Sequence, residues 1–184
     1  IGNGVRHGVL LKGSEVIHDF SKVDTIVFDK TGTLTIGNPK VADKEMYADN
    51  VDEVLGYLAS VEKESGHPLA RAVTEYIGET KLYAVDKTDV VKGGGIVAHV
   101  DGHIVAVGNA ALMDQEKITI NEKASTDIAR FEKNGNSLVL TSVDGELKVL
   151  MGIRDQIRPG VKEVLQKLKK LGVKNLVLLS GDNQ

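Results

Sequence analysis

The chain has no cysteine, so disulfides, thiolate metal sites and cysteine nucleophiles are excluded. It has no uninterrupted apolar stretch near the roughly 20 residues that a membrane-spanning helix requires. It lacks a strong excess of either charge: the formal net charge of -3 gives no reason to expect nucleic acid or an anionic membrane as a partner. There is no initiator Met or signal-peptide pattern at Ile1, no internal repeat and no low-complexity tract. Together these absences predict a soluble segment of a longer polypeptide. What is present suits folded domains. At 184 residues and 41% hydrophobic content the chain can form one large domain or two small ones, and 27% charged residues suit a soluble surface.

The stretch around which the rest is organised is Asp29-Lys30-Thr31-Gly32-Thr33-Leu34-Thr35. It follows Thr25-Ile26-Val27-Phe28, an apolar run that reads as a buried parallel strand. Ligands of open α/β sheets bind outside the carboxyl ends of strands, so Asp29 stands where a site belongs. Its carboxylate can act as a nucleophile toward phosphate. Gly32 permits a tight turn, and exposed N–H groups with Thr hydroxyls can hold phosphoryl oxygens. The far end of the chain repeats this arrangement. Pro159 and Gly160 open a helix with Val161, Val164, Leu165, Leu168 and Leu171 on one face. A second buried strand, Asn175 to Leu179, then ends in Ser180-Gly181-Asp182-Asn183. The economical solution sets the two strands side by side in one parallel sheet, with about residues 38–151 inserted between them.

The insert mixes helices with antiparallel strands. Glycines argue against a stable helix throughout residues 1–22. Gly37-Asn38-Pro39 reads as a turn and hinge, and Val41 to Tyr47 as a strand. Asp49-Asn50 offers an N-cap to a helix reaching about Lys63, and a second helix runs from Pro68 to Gly78. Tyr83 to Val107 reads as an antiparallel hairpin or meander, followed by short helix 111–114 and an amphipathic helix over 122–133. Asp144-Gly145 between two apolar runs signals a hairpin. Asp155 reads locally as an N-cap before the Pro159 helix. His99 and His103 flank Asp101, but with no third ligand evident they read as exposed polar positions.

Asp29 to Thr35 reproduces in full the DKTGTLT signature of P-type ATPases, which pump cations by phosphorylating that Asp. The resemblance implies that the second oxygen of Asp29 and the carbonyl of Thr31 are Mg²⁺ ligands, with Lys30 beside them. Ser180-Gly181-Asp182-Asn183 resembles the TGDN motif, with Ser for Thr; Ser180 and Gly181 would contact the acyl phosphate. Phosphatases of the haloacid-dehalogenase type place a second Asp, the general acid/base, where this chain has Thr31. Thr31 cannot deprotonate an attacking water, so a long-lived phosphoenzyme is expected.

The insert resembles that of the heavy-metal-transporting branch. Ser65-Gly66-His67-Pro68-Leu69-Ala70 is similar to the SEHPLA motif, whose His contacts adenine, and Glu62 matches the adenine-side carboxylate. Val91 to Ile96 resembles the GxG loop at Gly93 and Gly95, and Val107-Gly108-Asn109 the VGN strand end. Lys92-Gly93-Gly94-Gly95 departs from the KGAPE motif of calcium and sodium/potassium pumps after two residues. Gly8 to Gly13 resembles the linker from the last metal-binding membrane helix, and Asp155-Gln156-Ile157-Arg158-Pro159 the interdomain DxxRP segment, in which Asp155 lies at the hinge.

The resemblance implies an α/β fold: an incomplete haloacid-dehalogenase-like Rossmannoid parallel sheet carrying an inserted α+β antiparallel-sheet nucleotide-binding domain. A discontinuous phosphorylation domain of residues 1–37 and 152–184 would accept the terminal phosphate of ATP on Asp29. The nucleotide domain, 38–151, would hold ATP through Glu62, His67, Gly93, Gly95, Gly108 and Asn109, with Asn38-Pro39 and Gly152-Ile153 as hinges. Implied partners are ATP, Mg²⁺ and the transmembrane and actuator domains of the same parent at the cytoplasmic face of a membrane. The heavy-metal ion would be bound elsewhere in that parent. The second Mg²⁺ carboxylate of the family lies beyond Asp182, so the chain alone is expected to bind nucleotide but form phosphoenzyme poorly. A soluble phosphatase of the same superfamily and a non-catalytic nucleotide-binding module stay open as alternatives.

Overall fold

A computed structural model describes residues 13–63, 65 and 67–179, together with Arg6, Gly8 and Leu10. Half of the expected linker, and the whole Ser180–Asn183 motif, lie outside the described residues. The chain forms two compact units, Ile1–Ile36 with Ile157–Gln184, and Gly37–Gln156. Gly37 and residues 152–156 thus fall in the larger unit, whereas the resemblance placed them in the phosphorylation domain.

In the larger unit β2 (Thr35–Met46, entering from the smaller unit), α2 (Val51–Glu62) and α3 (Pro68–Ile77) come first. A meander of β3 (Val85–Val91), β4 (Gly95–Val100) and β5 (His103–Gly108) follows. Next come α4 (Ala110–Gln115), α5 (Glu122–Lys133), β6 (Ser137–Val143) and β7 (Glu146–Ile157). The six strands form one sheet in the order β2-β7-β6-β5-β4-β3.

Side-chain alternation along these strands feeds two cores. Val105, Val107, Val139, Val149, Met151 and Ile153 face α2 and α3, meeting Leu58, Val61 and Val73. The intervening Ala106, Leu140 and Leu150 meet Leu112 and Met113 of α4 and Phe131 of α5. The larger unit is therefore an α/β/α sandwich with helices on both faces. Asp144 (φ 49) and Gly145 (φ 84) both adopt left-handed backbone, the type I′ geometry that closes the β6–β7 hairpin. Asn121 caps α5 by accepting the Ala124 N–H at 2.8 Å, but Asn50, before α2, makes no such bond and donates to Glu53 instead.

The smaller unit contains α1 (Ser14–Phe20), β1 (Thr25–Asp29), α6 (Val161–Lys170) and β8 (Asn175–Leu179). β1 and β8 pair in parallel and in register, Thr25 opposite Asn175 and Asp29 opposite Leu179, as the economical solution requires. Four readings of the sequence need correction. The glycine-free stretch 14–20 is helical, because the glycines that disfavour a helix all precede it. The strands are not buried: Val27 is 52% and Leu178 53% exposed. A parallel strand buries both faces only where helices cover the sheet on both sides, and among the described residues this sheet has two strands.

The third correction concerns the turn read at Gly37-Asn38-Pro39, which lies within β2; Gly152-Ile153 lies inside β7, with Ile153 in the core. The reason is Asp155: its carboxylate accepts the Gly37 N–H at 3.0 and 3.1 Å and the Asn38 N–H at 3.1 Å, satisfying backbone donors that a turn would expose. The fourth follows from the same geometry. Asp155 sits in β7 and is not a helix cap; Gly160, in left-handed backbone, precedes α6.

Candidate functional site

β1 carries Asp29 to its C-terminal end, where the side chain is exposed. The chain then turns sharply. Thr31 (φ −77, ψ 123) and Gly32 (φ 75, ψ −12) form the two central positions of a type II turn. A Cβ at position 32 would meet no atom within 4 Å, so it is the positive φ rather than crowding that calls for glycine.

Two side chains fasten this turn. Thr35, only 3% exposed, accepts the Gly32 N–H through its Oγ1 at 3.1 Å and donates that hydroxyl to the Lys30 carbonyl at 3.2 Å. Arg158 binds the opposite side of the loop backbone. Its Nε donates to the Thr35 carbonyl at 2.8 Å, its Nη2 to the Gly32 carbonyl at 2.9 Å, and its own backbone N–H to the Leu34 carbonyl at 2.8 Å. A planar guanidinium fork fits two carbonyls at fixed separation, which a lysine ammonium cannot. Sequence reasoning named neither residue for this work. Arg158 was visible only as part of the DxxRP segment, and its loop partners lie 123 and 126 positions away.

A second group of candidates lies in the larger unit, at the junction of α2 and α3. Glu62, on the last turn of α2, is 8% exposed, and burial pushes its carboxyl up to about 6 against the opposing effect of a Ser65 hydrogen bond. Ser65 Oγ accepts the His67 N–H at 3.3 Å. His67 caps α3, its Nδ1 accepting the Leu69 N–H at 3.2 Å, with Pro68 in the first helical turn. That bond places the proton of a neutral imidazole on Nε2, leaving an outward donor on an exposed ring.

The glycines form a third group at the β4–β5 end of the same unit. Gly95 pairs directly with Gly108. A Cβ on Gly95 would come within 2.1 Å of the Val107 carbonyl oxygen, and one on Gly108 within 2.2 Å of the Gly94 carbonyl oxygen. No other residue fits this approach. Asn109, immediately after Gly108, donates its Nδ2 to the Gly93 carbonyl at 2.8 Å. Thus Glu62 and His67 are brought together through Ser65, as are Gly93, Gly95, Gly108 and Asn109, the glycines lying against Leu112 of the second core. Lys30 and Thr31 flank Asp29, whereas Ser180, Gly181 and Asp182 lie outside the described residues. His103, read as an exposed polar position, is half-buried and forms a 2.6 Å pair with Asp144, which raises its pKa.

A parallel β1–β8 pair delivering a carboxylate into a glycine-threonine turn is the arrangement of one hydrolase class. The chain belongs to the haloacid dehalogenase-like hydrolase family, whose model matches residues 23–184. Over its whole length it is 38% identical to a zinc-exporting P-type ATPase of Mycobacterium marinum and 35% identical to a copper-exporting P-type ATPase of Staphylococcus aureus. It spans 26% and 22%, respectively, of the lengths of those two relatives. Among solved structures it matches the catalytic domain of the CPx-ATPase CopB-B, in a study of conformational changes upon nucleotide binding. That likeness has a TM-score of 0.68 and 29% identity, covering 100% of this chain and 64% of the other. None of the described helices is long and apolar enough to cross a membrane.

Proposed function

We propose that this chain is the ATP-binding and phosphorylation region of a heavy-metal-transporting P-type ATPase. The smaller unit is its phosphorylation domain and the larger its nucleotide-binding domain, both on the cytoplasmic face of a membrane that other parts of the parent span. The observation that carries this reading is the Asp29 loop, an exposed carboxylate at a strand end followed by a turn held by Thr35 and Arg158.

Phosphoryl transfer depends mainly on positioning and on neutralising charge. An oxygen of Asp29 attacks the terminal phosphorus of ATP, the bond to the bridging oxygen breaks, and ADP leaves with that electron pair. Thr31, which stands where haloacid-dehalogenase phosphatases have their acid/base Asp, has no group to activate water, so the aspartyl-phosphate persists. A hard divalent cation prefers oxygen donors. The Asp29 carboxylate and the Thr31 carbonyl are such donors and fit Mg²⁺, which when bound would neutralise phosphate charge. Glu62, His67, Gly93, Gly95 and Gly108 form the adenine side of the nucleotide site, with the His67 Nε2–H as a donor to the base. The similarity to zinc and copper exporters supports a heavy-metal cation as cargo.

The test uses membranes containing the whole parent polypeptide and ATP labelled in its terminal phosphate. The expected result is an acid-stable, hydroxylamine-sensitive label that Asp29→Asn abolishes while ATP binding persists. Undiminished labelling of Asp29→Asn would overturn the proposal. Rapid release of phosphate from small esters without any trapped label would replace it by a phosphatase.

A further inference from the structure

One residue, through its backbone and its side chain, holds the two glycine stretches of the larger unit together. The Asn109 N–H donates to the Gly94 carbonyl at 2.9 Å, and its Nδ2 to the Gly93 carbonyl at 2.8 Å. The opposite end of the same amide, Oδ1, accepts the Leu112 N–H at 3.1 Å and so caps α4. This fixes the orientation of the amide, because the oxygen cannot donate to Gly93 and the nitrogen cannot accept from Leu112. Gly93-Gly94-Gly95 has no side chain with which to anchor itself, and glycine loses more backbone freedom on ordering than any other residue.

We propose that Asn109 is a positioning residue that preorganises the Gly93–Gly95 loop for an adenine nucleoside instead of touching the ligand itself. The inference rests on reading the glycine cluster as part of the nucleotide site. Gly95 is held by its strand pairing and Gly94 by backbone bonds to Val91 and Asn109, so the Asn109 side chain is what fixes the Gly93 carbonyl; without it the cost of ordering that peptide would be subtracted from binding. Both functions of the side chain converge on one amide, yet they can be separated by substitution. Asp and Ser are good helix caps, so Asn109→Asp and Asn109→Ser keep the start of α4. Neither retains the donor to Gly93: an ionised Asp only accepts, and a Ser hydroxyl cannot reach Leu112 and Gly93 together.

The experiment titrates adenosine and ATP into the whole chain and both variants, and follows amide hydrogen exchange at Gly93 to Gly95 without nucleotide. Adenosine is uncharged, so the carboxylate of the Asp variant does not repel it. The expected outcome is an adenosine Kd raised about five- to tenfold in both variants, the effect of one lost hydrogen bond. Exchange at Gly93 and Gly94 should quicken with Tm unchanged. Wild-type adenosine affinity in both variants would overturn the clamp while leaving the nucleotide site standing. Weakened binding with unaltered exchange would also overturn it, assigning Asn109 a direct ligand contact. Failure of the unmodified chain to bind adenosine or ATP would overturn the nucleotide reading beneath it.

Discussion

The two units of this chain differ in how their apolar residues are used. In the larger unit Leu58, Val73, Phe131, Leu140 and Leu150 are all completely buried, in cores on both faces of a six-stranded sheet. In the smaller unit α6 buries no residue, Leu171 is 81% exposed, and β1 and β8 pair only with each other among the described residues. The two proposed functional carboxylates follow the same division. Glu62 lies in a packed helix whose burial shifts its pKa, whereas Asp29 sits exposed at the end of β1, before a loop held by the Thr35 and Arg158 side chains. A proposed binding site can thus draw on a core, while the proposed phosphoryl acceptor depends on a few specific bonds.

The sharpest way to break this comparison is truncation in each unit. Phe131→Ala should destabilise the larger unit by about 3–5 kcal/mol, as a fully buried aromatic does. Leu171→Ala, at an exposed site, should change stability by about 0.5 kcal/mol or less. Urea unfolding followed by circular dichroism measures both, and equal losses would end the distinction.

A smaller effect should come from Arg158→Lys. Lysine keeps the charge but loses the fork that spans the Gly32 and Thr35 carbonyls. Phosphoenzyme formation in the parent should fall about tenfold, the rate equivalent of about 1.4 kcal/mol, while ATP affinity stays unchanged. A matching loss of ATP affinity would show that Arg158 acts on more than the loop.

The smallest effect concerns pH. Burial raises the Glu62 carboxyl from 4.5 to about 6, so the folded state holds this proton more tightly than the unfolded chain. The resulting stabilisation is complete below pH 4.5 and disappears as pH rises through about 6. Glu62→Gln, permanently neutral, should therefore be more stable than the parent sequence by about 1–2 kcal/mol at pH 7.5. The two should be nearly equal at pH 4.5. Thermal melts at both pH values measure this, and a pH-independent difference would remove the buried acid from the account.

Much of the fold is legible along the chain because its signals are local. Helix 122–133 follows from its apolar spacing, and the β6–β7 hairpin from Asp144-Gly145, whose left-handed backbone suits those residues. The Gly37-Asn38-Pro39 stretch misled for an equally physical reason. Its local preference is a turn, but Asp155, 117 and 118 positions away, accepts the N–H groups and keeps the strand. Likewise, apolar content marks β1 and β8 as strands, yet burial depends on what packs against them.

By itself the sequence determined the Asp29–Thr35 motif, the two flanking strands and the mixed insert. These rest on residue type and spacing, which act over a few positions. Only the tertiary structure decided that Arg158 and Thr35 hold the loop, that Asp155 supports β2, and that Asn109 joins Gly93 to Gly108. Each depends on hydrogen-bond geometry measured in tenths of an ångström, and that geometry exists only after the chain has brought the partners together.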